Sequence, residues 1–159
     1  MLTYARVDTI IVEIVKARRE LLNISVSGPR GAELDSGLQA YTILAIKSFA
    51  QQLGISRLRT NLDVRIHQNL FVDKSQSMGL CESLDERTFK IDVALFGNWL
   101  STLAHEMVHV KQFAKGELDP SMSRWKSNNY VDHIDYWDQP WEKEARRLQN
   151  KLVLEFEKD

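Results

Sequence analysis

Two histidines and a glutamate lie within the pentapeptide HEMVH, which runs from His105 to His109. Residues four apart on a helix are about 40° apart around its axis and one turn apart along it, so the two imidazoles can bind one ion. Glu106 is rotated too far to be the obvious third ligand, but it can reach a water on that ion. These are the groups of a catalytic zinc site with a glutamate as general base. We therefore expect Zn2+ at His105 and His109, and a catalytic Glu106.

The motif lies in a segment, about residues 96–115, that we expect to form a helix ended by Gly116. Five apolar residues of this segment fall within an arc of about 80° on the side opposite the histidines. They are Leu100, Leu103, Met107, Val110 and Ala114. The helix can therefore enter a core without burying either histidine, which argues against the alternative that both are core residues.

A catalytic zinc site needs a third protein ligand and leaves its fourth position to water. The downstream candidates are Glu142, Glu144, His133, Asp132, Asp135 and Asp138. The two glutamates begin a helix expected from about Pro140 to Glu157, and only one can face the metal because they are about 200° apart. The helical geometry favours Glu144 without deciding, since it lies slightly closer to the centre of the apolar stripe. His133 is the rival outside this helix.

Three further residues bear on the chemistry. We expect Tyr136, in the polar connection 117–139, to help stabilise an oxyanion, a role that His133 could share. His67 alternates with apolar neighbours in a strand and is expected to face solvent. Cys81 is the one cysteine, which excludes an internal disulfide and a four-cysteine zinc site, and we expect it to be buried.

The pattern along the chain predicts an α+β fold. Helical spacing predicts helices at about Tyr4–Leu22 and Glu33–Leu53, the second followed by Gly54 as a C-cap. The middle of the chain changes to alternation, with a strand in Leu62–Val72 and two more around a turn near Leu84–Arg87. We expect N-terminal helices, a small antiparallel sheet, the HEMVH helix and a C-terminal helix, all in one domain of residues 1–159.

Composition excludes few functional classes. The chain has 159 residues and a net charge of −1, so no global charge indicates a nucleic acid or a membrane surface as partner. No run of about 18 apolar residues is present, so no membrane span is expected. The N-terminal segment has no small-residue cleavage site and is interpreted as an amphipathic helix rather than a secretory signal. We therefore expect a cytoplasmic protein.

The HEMVHVKQ helix, the TFKIDVAL strand before it and the YWDQPWEKEA segment after it resemble the short SprT-like and phage-type zinc metallopeptidases of the zincin class. The resemblance covers about Leu62 to Leu152. It implies that the strand Arg87–Val93 is an edge strand that pairs with an extended substrate. In gluzincins the third-ligand glutamate is often followed by alanine, which Glu144 matches and Glu142 does not. The resemblance therefore favours Glu144 as the third ligand.

SprT-like proteins usually complete their site with histidine or cysteine, and some carry a cysteine-based zinc ribbon that this sequence lacks. A DNA-linked role is therefore not implied. We expect zinc-dependent hydrolysis of a peptide or protein substrate, with Glu106 activating a zinc-bound water. The alternatives are a non-catalytic, metal-stabilised module that binds a peptide or protein, and a metal-dependent hydrolase of non-peptide bonds.

Overall fold

The computed structural model describes residues 21–72, 75–129 and 134–158. Its helices are α1 (Ser36–Gln52), α2 (Trp99–Ala114) and α3 (Pro140–Lys158). Its strands are β1 (Leu22–Ser27), β2 (Thr60–His67), β3 (Leu70–Val72), β4 (Ser75–Ser77), β5 (Gly79–Ser83), β6 (Thr88–Ala94), β7 (Arg124–Trp125) and β8 (Asn128–Asn129). The expected helix Tyr4–Leu22 lies outside the described residues except at its end, where Leu22 begins β1.

The main sheet has four strands in the order β1-β2-β6-β5. β1, β2 and β6 are parallel, and β5 is antiparallel to β6. The sheet is therefore mixed, and the expectation of a small antiparallel sheet is wrong. The physical reason is the connection between strands, because α1 carries the chain from β1 back to the start of β2 and so makes these neighbours parallel.

The edge strand differs from the one expected. β6, which contains most of the segment Arg87–Val93, is hydrogen-bonded on both sides and is a central strand. β5 lies at the edge, joined to β6 by the turn at residues 84–87 that the sequence predicted. Within the described chain the edge strands of this sheet are β1 and β5, and the one next to β6 is β5, Gly79–Ser83.

The helices begin and end at residues that favour helix termini. The side chain of Asn98 accepts a hydrogen bond from the Ser101 N–H at the start of α2. Gly54 and Gly116 follow α1 and α2 with positive φ angles of 71° and 67°. α3 begins at Pro140, whose missing N–H costs nothing in a first turn. The three predicted helices within the described residues are confirmed.

One hydrophobic core joins the sheet to all three helices. Its largest fully buried members include Phe49 of α1, Leu62 of β2, Phe89 and Ile91 of β6, and Leu103 and Met107 of α2. α3 packs along α2, and Ala145 and Leu152 extend the core there. The apolar side of α2 therefore faces the sheet, and its histidine side faces α3. None of the described helices is both long and apolar enough to cross a membrane.

Candidate metal centre

The two histidines of α2 bring their Nε2 atoms together. His105 and His109 are one turn apart, and their Nε2 atoms are 3.2 Å from each other. Both side chains are largely removed from solvent, with His109 only 3% exposed. A tetrahedral zinc site with bonds of about 2.0–2.1 Å has neighbouring ligand atoms about 3.3 Å apart. The spacing of the two nitrogens therefore fits two corners of such a site.

Glu142 supplies a third group at the same point. One of its carboxylate oxygens lies 3.1 Å from the His105 Nε2, and the other lies 3.2 Å from the His109 Nε2. The side chain is in the first turn of α3 and is 4% exposed. Within the described residues, His105, His109 and Glu142 form the group of donors placed closely enough to hold a metal ion.

Glu144 lies on a different part of the interface between α2 and α3. Its carboxylate accepts hydrogen bonds from the Lys111 Nζ at 3.1 Å and the Gln112 Nε2 at 2.9 Å. The cluster that could hold a metal ion therefore contains Glu142 and not Glu144, the third ligand expected from the sequence. The two glutamates are about 200° apart around α3, and the packing of α3 on α2 turns Glu142 toward the imidazoles.

Two glutamine side chains fix the orientation of the imidazoles. The His105 Nδ1 lies 2.7 Å from the Gln149 Oε1, and the His109 Nδ1 lies 2.8 Å from the Gln112 Oε1. An amide oxygen can only accept, so each Nδ1–H donates to its glutamine. Each neutral ring then presents an Nε2 lone pair to the centre, which is the tautomer that binds a metal.

This arrangement needs a positive charge at its centre. Two Nε2 lone pairs and a carboxylate converge at 3.1–3.2 Å, and neither neutral ring has a proton left to place between them. Three electron-pair donors so close repel one another unless a cation or a proton lies between them. A bound divalent ion or protonation of a histidine relieves the repulsion, and three converging ligands suit the ion.

The pKa shifts of Glu142 and His109 also favour a positive charge beside the carboxylate. Burial opposes ionisation of Glu142, but hydrogen bonds that His105 and His109 donate once a ring is protonated lower the pKa of the carboxyl well below its ordinary value. Burial likewise opposes protonation of His109, but the contact with Glu142 raises the pKa of the imidazole. Both shifts favour an anionic carboxylate beside a positive charge.

Glu106 lies close to His105, His109 and Glu142 without belonging to their cluster. It is 7% exposed, and burial raises the pKa of its carboxyl. Its side chain reaches the start of the edge strand, where a Cβ on Gly79 would stand 2.6 Å from the Glu106 Oε1 and 2.7 Å from the Thr102 Cγ2. Only a glycine lets β5 approach α2 so closely. A carboxyl with a raised pKa beside a metal site suits a general base.

Tyr136 lies in the short 3-10 turn Tyr136–Asp138, just before α3. Its phenol contacts Glu142, and burial together with that contact raises its pKa. The ring is nevertheless 52% exposed and makes an edge contact with the ring of Trp137. Tyr136 is therefore at the rim of the centre, where it touches the third group.

The other described residues singled out from the sequence do not belong to the cluster. His133 and Asp132 are outside the described residues. Asp138 pairs with Lys143 at 3.1 Å. The prediction that His67 faces solvent is wrong, because its Nε2 lies 2.6 Å from the carboxylate of the buried Asp92 on the neighbouring strand. Cys81 is buried, as expected.

Sequence reasoning missed three residues of the site. Gln112 is a polar residue on the buried part of α2, three residues after His109, and this position is the signal that could have found it. Gln149 is seven residues after Glu142, so both lie on one face of α3. Gly79 had no local signal, since its role depends on the approach of α2 to a strand.

No protein-family model, curated protein or solved structure matches this chain. The resemblance of residues 62–152 to zincins therefore remains a prediction from the motif. What the described residues establish is a small α+β fold with a mixed sheet, and a His105, His109 and Glu142 cluster that could hold a metal ion.

Proposed function

We propose that this chain is a zinc-dependent peptidase in which His105, His109 and Glu142 hold the metal and Glu106 is the general base. One observation carries the proposal. Two imidazole nitrogens and a carboxylate converge at 3.1–3.2 Å with both Nδ1 atoms engaged elsewhere, beside a buried glutamate that is not needed as a ligand.

The donor set supports zinc in particular. Two neutral imidazoles and one carboxylate are the protein ligands of one well-known kind of catalytic zinc site, which keeps its fourth position open. Calcium and magnesium prefer oxygen ligands, and this centre offers two nitrogens. A structural zinc site has four protein ligands, and the described chain supplies three here.

The residues around the centre have separate roles in the proposed hydrolysis. His105, His109 and Glu142 would hold the zinc, which would lower the pKa of a bound water toward about 7 and polarise a carbonyl. Glu106 accepts the proton of the attacking water on its carboxylate and later donates it to the leaving amine. Gln112 and Gln149 hold the imidazoles in the metal-binding tautomer.

Tyr136 has more support as a positioning residue than as an oxyanion donor. Its phenol contacts Glu142, so it helps to hold that carboxylate toward the imidazoles. To reach an oxyanion, the hydroxyl would have to leave this contact. The oxyanion role stays a prediction from the sequence.

The edge strand supports a peptide as substrate. β5 has no strand on its outer side, within the described residues, and starts at Gly79 beside Glu106. An extended chain can add to such an edge through backbone hydrogen bonds. Those bonds do not depend on side chains, and they would place one peptide bond of the added strand near the general base.

A Glu106→Gln variant tests the proposal. It removes the base but keeps the size of the side chain, so we expect one bound zinc per chain and a rate of peptide-library cleavage that falls about 10²- to 10⁴-fold. Metal content is measured by elemental analysis and cleavage by mass spectrometry. Glu157→Gln makes the same change on the exposed side of α3 and should cleave normally. Normal cleavage by Glu106→Gln would contradict the assignment.

The burial of the ligands favours one rival function. His109 and Glu142 are only 3% and 4% exposed, as in a site that holds the fold together. A metal-stabilised module would bind peptides through β5 but not cleave them. Wild-type chain with stoichiometric zinc and no cleavage product from a broad peptide library would support the module and overturn the peptidase.

A further inference from the structure

Two exposed aromatic rings lie at the rim of the metal centre. Trp137 is 68% exposed and Tyr136 is 52% exposed, and Trp137 is the most exposed large apolar side chain in the described part of the chain. Tryptophan and tyrosine are the residues that most often carry the energy of a binding surface. An adjacent pair of exposed rings beside a cluster of metal donors is therefore a candidate binding surface.

The Trp137 ring is held in place although it is exposed. It meets the Tyr136 ring edge to face, with centroids 5.4 Å apart and planes at 81°. The guanidinium of Arg146 lies over the indole, 5.0 Å from its centroid, and the Arg146 Nη2 donates to the Trp137 carbonyl. The indole is therefore oriented before anything covers it, so a ligand that binds there loses less side-chain entropy.

The aromatic pair is connected to the metal centre through Tyr136. Burial and the contact with Glu142 raise the pKa of the phenol, and the charge of the nearby Glu106 adds to the rise. Trp137 is therefore separated from Glu142 by the width of one ring. An extended chain advances about 3.3 Å per residue. A peptide bond held at the centre would thus have a neighbouring side chain within reach of Trp137.

The edge strand leads toward the same place. Glu106 lies against the start of β5 at Gly79, and the Tyr136 phenol is near enough to Glu106 to respond to its charge. A peptide added to β5 would therefore continue from Gly79 past Glu106 to the aromatic pair. The rings and the strand edge belong to one path for an extended chain.

The surroundings of Trp137 favour an apolar or aromatic occupant. One face of the indole is already covered by the Arg146 guanidinium, and a second cation beside it would be repelled. The chain has a net charge of −1, which does not favour a nucleic acid. An apolar or aromatic side chain meets neither obstacle, and it gains from burying the exposed rings and packing against them.

We propose that Trp137 and Tyr136 bind a large apolar or aromatic side chain of the polypeptide substrate, one or two residues from the cleaved bond. Trp137 supplies most of the contact surface, and Arg146 holds its ring in position. The location relative to the cleaved bond rests on the proposed function. The binding of the side chain does not, because it needs only the exposed rings.

The binding experiment uses zinc-loaded Glu106→Gln full-length chain, so that no probe is cleaved. The probes are fluorescent octapeptides that differ in one central residue, which is phenylalanine, alanine or lysine. Measured by anisotropy, the phenylalanine probe should bind about tenfold more tightly than the other two, as expected for one well-packed aromatic contact. Equal affinity for the phenylalanine and alanine probes, or tighter binding of the lysine probe, would overturn the inference.

Substitution of Trp137 locates the contact. Trp137→Ala should weaken binding of the phenylalanine probe about tenfold, to the level of the alanine probe. Zinc affinity should stay within about threefold, because none of the three clustered donors is changed. Leu44→Ala removes an apolar side chain of α1 that is 60% exposed, and it should change nothing. A Trp137→Ala variant that binds all three probes like the parent would contradict the site, and so would an equal loss in Leu44→Ala.

Nuclear magnetic resonance gives a readout at the ring itself. The chain has four tryptophans, and the indole N–H signal that disappears in Trp137→Phe belongs to Trp137. The phenylalanine probe should shift this signal more than the other three, and the alanine probe should shift it much less. Shifts confined to the other tryptophans would overturn the inference. Stronger competition for the site by a single-stranded oligonucleotide than by unlabelled phenylalanine peptide would do so too.

The cleavage experiment separates this inference from the proposed function. Wild-type chain digests a random peptide library, and we expect large apolar and aromatic residues to be enriched at one position within two residues of the cleaved bonds. Trp137→Ala should lose this enrichment. Cleavage without any such enrichment overturns the aromatic site and leaves the peptidase. Trp137-dependent binding without cleavage by wild-type chain overturns the peptidase and leaves the rings as a binding site.

Discussion

The interface between α2 and α3 contains two glutamates whose partners are opposite in kind. Glu142 faces two imidazole nitrogens whose lone pairs point toward it. Glu144, two residues later, faces the Lys111 ammonium and the Gln112 amide, which already carry the hydrogens that a carboxylate needs. The first region needs a bound cation or a protonated imidazole, and the second already contains the positive charge of Lys111.

This difference teaches how to recognise a ligand carboxylate. A structural glutamate is satisfied by donors of the same chain, so its surroundings are complete without a metal. A ligand glutamate has neighbours that are themselves acceptors. Gln112 connects the two regions, because its oxygen accepts from His109 and its nitrogen donates to Glu144. The contacts of Glu144 therefore help to hold Gln112, and through it the imidazole of His109, in place.

The largest expected effect comes from exchanging each glutamate for glutamine. Glu142→Gln removes an anionic ligand, and we expect zinc affinity to fall at least about 100-fold, since loss of even an indirect contact to a ligand costs 10- to 100-fold. Glu144→Gln should keep zinc affinity within about tenfold. Competition with a chromophoric chelator measures both. If Glu144→Gln loses zinc and Glu142→Gln keeps it, the assignment of the two regions is reversed.

The next effect concerns the connection between the regions. Gln112→Leu and Gln149→Leu each free one imidazole, so both should weaken zinc binding about 10- to 100-fold. Only Gln112→Leu also removes a donor to Glu144, so only this variant should lower the stability of the metal-free protein substantially. Chelator competition and urea unfolding of the metal-free chains provide the two measurements. Equal loss of metal-free stability in both variants would mean that Gln112 does not join the regions.

A smaller effect on the rate of cleavage is expected from a substitution at Gly79, where β5 contacts α2. In Gly79→Ala the new methyl group would collide with Glu106 and Thr102, so either β5 or the carboxylate must move. We expect the rate of cleavage to fall about tenfold with zinc affinity unchanged, because neither histidine is touched. Steady-state kinetics and metal titration distinguish this from damage to the centre. A simultaneous loss of zinc would show that the approach of β5 supports the ligands as well.

The smallest effect is the pH dependence of Glu144. Burial opposes ionisation, but hydrogen bonds from Gln112 and Lys111 lower the pKa of this carboxyl in the folded state. Its contribution is therefore present above the ordinary glutamate pKa of about 4.3 and is lost as the pH falls through the lower folded value. Metal-free Glu144→Gln should be about 1 kcal/mol less stable than wild type at pH 7, with a smaller difference near pH 3. Urea unfolding at both pH values checks this, and a difference that grows at low pH would contradict it.

Local patterns predicted the elements that carry the motif. The apolar stripe of α2, Gly116 after it and Pro140 at the start of α3 each act over one or two helical turns, so a single sequence contains them. The turn at residues 84–87 was predicted for the same reason. The pair His105 and His109 needed only the helical repeat to come together.

Long-range geometry accounts for what the sequence did not predict. Lys90 and Asp92 alternate with apolar residues in β6 because one side of the sheet is polar, and this pattern is the same for a central and an edge strand. The choice of Glu142 over Glu144 depends on how α3 is rotated against α2. That rotation is fixed by contacts such as the one from Ser101 to Asn150, 49 residues apart. Spacing within α3 alone does not determine it.

The division of the centre between two helices affects the order in which it forms during synthesis. A ribosome that has released residues up to Gly116 has already delivered both histidines and Glu106, but not Glu142 or Gln149. At that stage His105 has no partner for its Nδ1, and the pair lacks its anionic ligand. The nascent chain up to Gly116 therefore lacks the complete cluster, which forms only when α3 docks onto α2.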